Sequence, residues 1–273
     1  MGRIYKTGLA LTLFLATALG CAGPANAGMV GAPAGKAEDQ GGEPGDLLFH
    51  GLSVGIEGDW MFNKDLIVSE GTDAKADFSQ SYRARIGYRL WGPLEVYALV
   101  GAANLKLEAT SLQTGETLTE KFGSGFLGGG GASLHFELPE NYWNLLVSVD
   151  GQFTQWKGEL DGFRGSTIGI LTNPRGNVQA RAYHAALTVG KRFAVGAEGK
   201  ITPYVGGRWS QFTAQENDLI TNEAEIIESG WRADNHVGVI VGISTDLTEH
   251  WQFEVEGRLV DENAISARAR FRF

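Results

Sequence analysis

From Phe49 to the end of the chain, apolar and polar residues alternate with a period of two, the signature of β-strands with two unlike faces. Leu52, Val54, Ile56, Gly58, Trp60 and Phe62 share one face, while Ser53, Gly55, Glu57 and Asp59 share the other. Next, Tyr82, Ala84, Ile86, Tyr88 and Leu90 stand against Arg83, Arg85 and Arg89. The pattern returns in residues 94–107, and in 122–138 it sets Phe122, Phe126, Ala132, Leu134, Phe136 and Leu138 against Ser133, His135 and Glu137. Six further segments follow at about 142–156, 178–193, 201–213, 231–245, 251–260 and 264–273. In the last, Ile265, Ala267, Ala269, Phe271 and Phe273 oppose Ser266, Arg268, Arg270 and Arg272. This predicts an all-β chain of about ten strands; a merged pair or a hidden hairpin makes the count eight or twelve.

Alternation alone does not say which face is inside, because a water-soluble barrel and a membrane barrel differ by a swap of faces. Four features favour the membrane form. The connections alternate: Gly92-Pro93, Pro139 to Asn141, 194–200 and 246–250 are short, whereas 63–77, 108–120, 157–177 and 214–230 are long. All seven Trp (60, 91, 143, 156, 209, 231, 251) lie near strand ends and suit two interfacial girdles. The strands match the roughly 9 to 11 tilted residues that cross hydrocarbon. An even count closes the sheet, and lipid offers no partner for an open edge. The expected fold is a transmembrane antiparallel up-and-down β-barrel over residues 49–273. Its apolar face, Val239 included, looks outward. Both termini lie on the periplasmic side, with the long loops extracellular.

The N-terminal segment reads differently. Arg3 and Lys6, an apolar run from Leu9 to Leu19, and Ala25-Asn26-Ala27 make residues 1–27 a secretory signal peptide, and 28–48 a flexible periplasmic leader. Cys21 after Ala18-Leu19-Gly20 offers lipidation as an alternative. Removing residues 1–27 leaves no cysteine and a formal charge of −11. An acidic chain argues against a nucleic-acid partner, which needs a basic patch. The 39 glycines of 273 residues, about twice the usual ~7%, disfavour a helical protein.

On the polar face, Glu57 and Asp59 are expected beside Arg83 and Arg85. Across the closure they meet Arg268, Arg270 and Arg272, next to Glu254, Glu256 and Arg258. Arg forks that bridge carboxylates would plug the lumen; the alternative is that these residues line a narrow wet channel. Open pores need about 16 to 18 strands, so a wide one is disfavoured.

The secretory signal, the alternating segments and the terminal Ala269-Arg270-Phe271-Arg272-Phe273 resemble a bacterial outer-membrane β-barrel of the small porin-like or opacity type. The resemblance implies that Phe273, with Phe271, is the signal read by the barrel-assembly machinery. It further implies contact with outer-membrane lipid and lipopolysaccharide.

Several motifs suggest chemistry. Gly123-Ser124-Gly125-Phe126-Leu127-Gly128 fits G-x-G-x-x-G, but no helix follows to aim N–H groups at a phosphate, and glycine packing is favoured. Asp234 and His236, expected on the inward face, are similar to the Asp-x-His pair of omptin-type outer-membrane proteases. Glu108, Glu116 and Glu120 supply no Asp-x-Asp to match those enzymes' second acidic pair. A hydrolase using Asp234 and His236 is therefore the alternative reading. Ser133 and His135 share a face but lie towards the short turns, away from outer-leaflet lipid. His50, His184 and His250 show no metal-ligand spacing. Glu216, Asp218, Glu223, Glu225 and Glu228 would either hold divalent cations or keep a loop soluble. The leading expectation is a non-enzymatic surface or structural barrel with no cofactor and, at most, low passive permeability.

Overall fold

The computed structural model describes residues 51–68, 72–91, 93–139, 143, 145–165, 169–170, 175–196, 199–220 and 230–273. The signal peptide, Cys21, the leader, His50, Glu223, Glu225 and Glu228 lie outside these residues.

In chain order the strands are β1 (Leu52–Ile67), β2 (Thr72–Trp91), β3 (Leu94–Ser111), β4 (Thr117–Glu137), β5 (Leu145–Gly165), β6 (Gly169–Ile170) and β7 (Arg175–Lys191). They continue as β8 (Phe193–Val195), β9 (Gly199–Ile220), β10 (Gly230–Ala233), β11 (Val237–Asp246), β12 (Trp251–Leu259) and β13 (Asn263–Arg272). Every pairing is antiparallel, and β1 closes on β13 from Ser53↔Arg272 to Asn63↔Asn263. The result is a closed ring of ten strands, with β6 and β8 as short additions to β5 and β9. Its edges are paired, so the N–H and C=O groups of the wall find partners within the sheet.

The ring is not ten strands over its whole height. β12 and β13 stop at Leu259 and Asn263, joined by a short turn. Beyond that turn β10 takes their place, pairing β9 at Trp231↔Ala214 and β1 at Leu66↔Ala233. The upper barrel therefore contains β1, β2, β3, β4, β5, β7, β9 and β10, eight strands. The described residues of the expected long loops 63–77, 108–120, 157–177 and 214–230 are mostly strand, continuing the hairpins above the shoulder where the ring narrows.

The two sections are inside-out with respect to each other. In the lower one the exterior is apolar: Ile56 is 69% exposed, Tyr82 54%, Val205 54% and Val255 50%, while Glu57, Arg83, Glu256 and Arg258 are buried inside. This belt runs from Val54 to Phe62 on β1 and from Leu90 to Tyr82 on β2, the roughly 9 to 11 residues a tilted strand needs to cross hydrocarbon. Above it the exterior turns polar, with Asp65, Asp73, Lys121, Lys157, Glu159 and Arg232 exposed. The interior becomes an apolar core that includes Leu66, Leu107, Phe122, Phe163, Phe212 and Trp231. Strands exchange faces by two routes. Register shifts at Met61/Asn63, Ala76/Phe78 and Phe122/Leu127 slip the alternation by one residue. On β3 the phase holds and the residues change, from Val96, Ala98 and Val100 outside to Asn104, Lys106 and Glu108 outside.

Two consequences correct the expectations. Phe122 faces the bore and is 2% exposed, because the irregularity after it reverses its phase relative to Phe126. Trp156 and Trp231, each 2% exposed, are core residues and do not belong to a girdle. Trp60, Trp209 and Trp251 do face outward. Trp60 stacks edge-on against Tyr82 at the upper margin, and Trp251 and Phe271 pack with centroids 5.1 Å apart at the lower. Trp143 is exposed in the β4–β5 turn, and the side chain of Trp91 lies outside the described set.

Val239 is outward-facing as expected, and Val241, 44% exposed, sits further down the same belt. Arg on the lipid face near the bilayer midplane costs about 2 to 4 kcal/mol. Val241→Arg is thus expected to cut the yield of heat-modifiable, protease-resistant barrel on refolding into vesicles. Undiminished refolding would reverse the assignment of faces.

Candidate functional site: the charged bore

Lower-section strands aim their polar faces into the bore, where most of these side chains are buried. Glu57 on β1 accepts a hydrogen bond from Arg268 Nε at 2.7 Å, with Arg83 Nε at 3.7 Å and Arg85 Nη1 at 3.6 Å. Arg268 also reaches Glu254 at 3.2 Å, and Glu254 accepts the Tyr204 hydroxyl at 2.6 Å. Asp59 takes Arg258, the Ser266 hydroxyl at 2.9 Å and Arg83 at 3.5 Å. Arg258 turns Nη1 towards Glu256 at 3.8 Å. These side chains are at most a few per cent exposed, so the pairs are desolvated. The expected cluster of Glu57, Asp59, Arg83, Arg85, Glu254, Glu256, Arg258, Arg268 and Arg270 is therefore one connected network. Arg272 sits at its open end, 3.5 Å from Asp246.

The structure adds members that the sequence reading missed. Glu95 joins Arg85 at 3.1 Å to Arg270. Asp150 accepts from Ser133 at 2.5 Å and Tyr97 at 3.0 Å, with His184 at 3.6 Å. At the shoulder, Asp261 and Glu262 of the β12–β13 turn fold into the barrel. Glu262 meets Arg258 at 2.7 Å, Arg208 at 3.0 Å and Lys64 at 3.2 Å; Asp261 accepts from Ser210 at 2.7 Å. Glu95 follows the alternation and was legible as inward. Lys64 becomes inward only through the bulge before it, and nothing in a turn sequence announces that its acids are buried. That turn carries Val260 at φ 83°, a region costly for a β-branched residue. The ion pairs of the next two residues hold it there. A Cβ at Gly238 would fall 1.9 Å from Asp261 Oδ1, so the inturned acid needs glycine opposite it.

The candidates for catalysis are not assembled. Asp234 is exposed, and its N–H donates to the Asp65 carbonyl. His236 turns towards the wall, donating Nδ1–H to the Ser210 carbonyl at 2.9 Å beside Trp209. The chain is irregular between β10 and β11, so the two residues do not share the inward face that strict alternation assigned them. They line a shallow cavity of about 290 Å³ on the outer shoulder, with Ile67, Thr213 and Arg232. Ser133 and His135 do face inward near the short turns, but Ser133 is bonded to Asp150 and His135 Nδ1 to Ser148 at 3.0 Å. In the glycine run, an added Cβ at Gly125 would lie 1.7 Å from the Lys157 carbonyl oxygen, a close approach of strands. Among the described residues no group of three or more His, Cys, Asp or Glu is placed to hold a metal ion.

One relative shares 30% identity with this chain over 117 residues: the 25 kDa outer-membrane immunogenic protein of Brucella canis. That match covers 43% of this chain, which spans about half (51%) of the relative's length. No family model matches. The fold is that of an outer-membrane β-barrel. The barrel is also similar to the outer-membrane protease OmpT of Escherichia coli, with 10% identity, TM-score 0.47, and 82% of this chain and 94% of that one covered. The β-domain of the Bordetella autotransporter BrkA gives 12% identity, TM-score 0.42, and covers 82% and 100% respectively.

Above the apolar belt the outer-membrane barrel holds one more pair of acids. Glu120 and Glu216 meet inside the apolar core, and Glu216 accepts the Trp231 indole N–H at 2.6 Å. Glu216 is thus a core residue rather than a surface loop acid. Burial, then the hydrogen bond and charge of Glu216, push Glu120 up to about 10, so the pair holds a proton at neutral pH. A folded-state value raised above the ordinary 4.5 means the native state binds a proton that the unfolded chain has released, so stability falls as pH rises between those values. The slope approaches about 1.4 kcal/mol per pH unit for one proton. Glu120→Gln is expected to flatten that slope in urea unfolding between pH 6 and pH 9. An unchanged slope would place the proton elsewhere.

Proposed function

We propose that this chain is a non-enzymatic integral outer-membrane protein whose closed barrel carries its hairpins into the extracellular space and keeps both termini in the periplasm. The observation that carries this reading is the double filling of the lumen: a desolvated ion-pair network across the membrane section and an apolar core above it. An eight-stranded section has an interior just wide enough for side chains. Both layers bury their inward side chains, which supports a structural or surface-presenting role over solute diffusion. The polar exterior of the upper section gives lipopolysaccharide headgroups and extracellular partners a rigid surface to meet. Phe271 and Phe273, packed 5.0 Å apart at the lower margin, suit the role of an aromatic assembly signal. A hydrolase reading finds no support in the wall-bound His236 and exposed Asp234.

Planar-bilayer recording is expected to show no steady conductance at neutral pH. A stable, large unitary conductance would mean the two layers do not seal the bore. Orientation is read by cysteine labelling on intact cells, since Thr114 lies in the β3–β4 turn and Glu249 in the β11–β12 turn. An impermeant maleimide should label Thr114→Cys and spare Glu249→Cys until lysis; the opposite pattern inverts the topology.

A further inference from the structure

At the end of the bore that holds the short turns and the termini, charge balance breaks down. Four arginines lie at this end: Arg89 from β2, Arg270 and Arg272 from β13, and Arg192 between β7 and β8. Arg272 feels Arg89 and Arg192 as like charges, and Arg270 feels Arg272. Between β2 and β13 at this level β1 and the residue before it place only Gly51, Ser53 and Gly55 on the inward side, so no long side chain separates the arginines. The acids present are already engaged. Glu95 serves Arg85 and Arg270, Asp246 faces Arg272 at 3.5 Å, and Glu137 faces Arg192 at 3.6 Å. The Arg89 side chain makes no ion pair within 4 Å and no hydrogen bond among the described residues, and the acid that attracts it from further off is the shared Glu95. Nε of Arg270, 5% exposed, and Nε and Nη2 of Arg272 have no hydrogen-bond acceptor. The Arg272 and Arg192 side chains are 23% and 17% exposed, so water and small solutes reach the cluster.

We propose that this mouth is an oxyanion-binding site in which Arg89 and Arg272, with Arg192 and Arg270 beside them, hold a phosphate or carboxylate group. The planar fork of a guanidinium presents paired N–H donors at the spacing of two oxyanion oxygens. A desolvated cation left without an acid gains most from such a ligand. The site belongs to the closed barrel in either orientation; that its ligand comes from the periplasm rests on the function proposed above.

The test is isothermal titration of the refolded full-length barrel in a non-ionic detergent at low chloride, with inorganic phosphate and, separately, acetate. Saturable binding of either ion is expected. In Arg89→Gln/Arg272→Gln it should weaken at least tenfold. Arg89→Lys, which keeps the charge and loses the fork, should fall between. Arg164→Gln, exposed on the outer face of β5, should bind like the parent. Phosphate-only binding points to a phosphate-bearing ligand, and equal acetate binding to a carboxylate as well; both support the site. Absence of saturable binding in the parent, or equal affinity in the double variant, overturns it. Should the double variant fail to give a heat-modifiable barrel, Arg89→Lys decides, with parent-like affinity the overturning result. Because titration is blind to sidedness, its failure is distinguishable from a failed labelling experiment.

Discussion

Every polar group of a backbone that crosses hydrocarbon has to be paired inside the protein, and a sheet achieves this only by closing on itself. Closure then dictates the rest of this molecule. A small ring encloses a narrow bore, so most side chains that point inward along its length are desolvated. Polar residues placed there are paired by charge, and the lower section does so with groups that share partners: Glu57 among Arg83, Arg85 and Arg268, and Asp59 among Arg83, Arg258 and Ser266.

The change of environment along the barrel explains why its two ends are built oppositely. Where the exterior meets lipid, apolar side chains are displayed and charges are hidden. Once the strands rise above the belt the exterior meets water, and the ordinary arrangement of a soluble β-barrel returns, with Leu107, Phe163 and Phe212 inside. The narrowing from ten strands to eight falls at this change. The turn that ends β12 and β13 folds inward there, and its two acids cap Lys64, Arg208 and Arg258. A buried ion pair contributes little net stability, yet losing one partner is costly because the other charge remains desolvated. The shoulder is held by interactions that tolerate no missing member.

The same geometry decides which polar constellations are chemistry and which are structure. Asp234 and His236 lie two residues apart in sequence, but the irregular link between β10 and β11 turns the imidazole onto a carbonyl and leaves the carboxylate in solvent. Glu120 and Glu216, on strands far apart in sequence, share a buried pocket with Trp231.

Period-two alternation made the lower barrel readable residue by residue, because lipid outside and a polar bore inside impose one rule on each face. The outward Ile56, Tyr82 and Val239, the inward Glu57, Arg83 and Arg268, and the ten-stranded closure all follow from that rule. Mid-strand changes in composition also carried a signal: on β3, Asn104, Lys106 and Glu108 continue the apolar face begun by Val96 and Val100, which marks the exit from hydrocarbon. What alternation does not encode is where it slips. A bulge shifts the phase without any required residue type, so the inward positions of Phe122 and Lys64 depend on which strand lies alongside. Likewise, the replacement of β12 and β13 by β10 and the burial of Asp261 and Glu262 arise from pairings between distant segments. These exist only once the sheet has closed, for it is the partner strand across the bore that supplies the opposing charge.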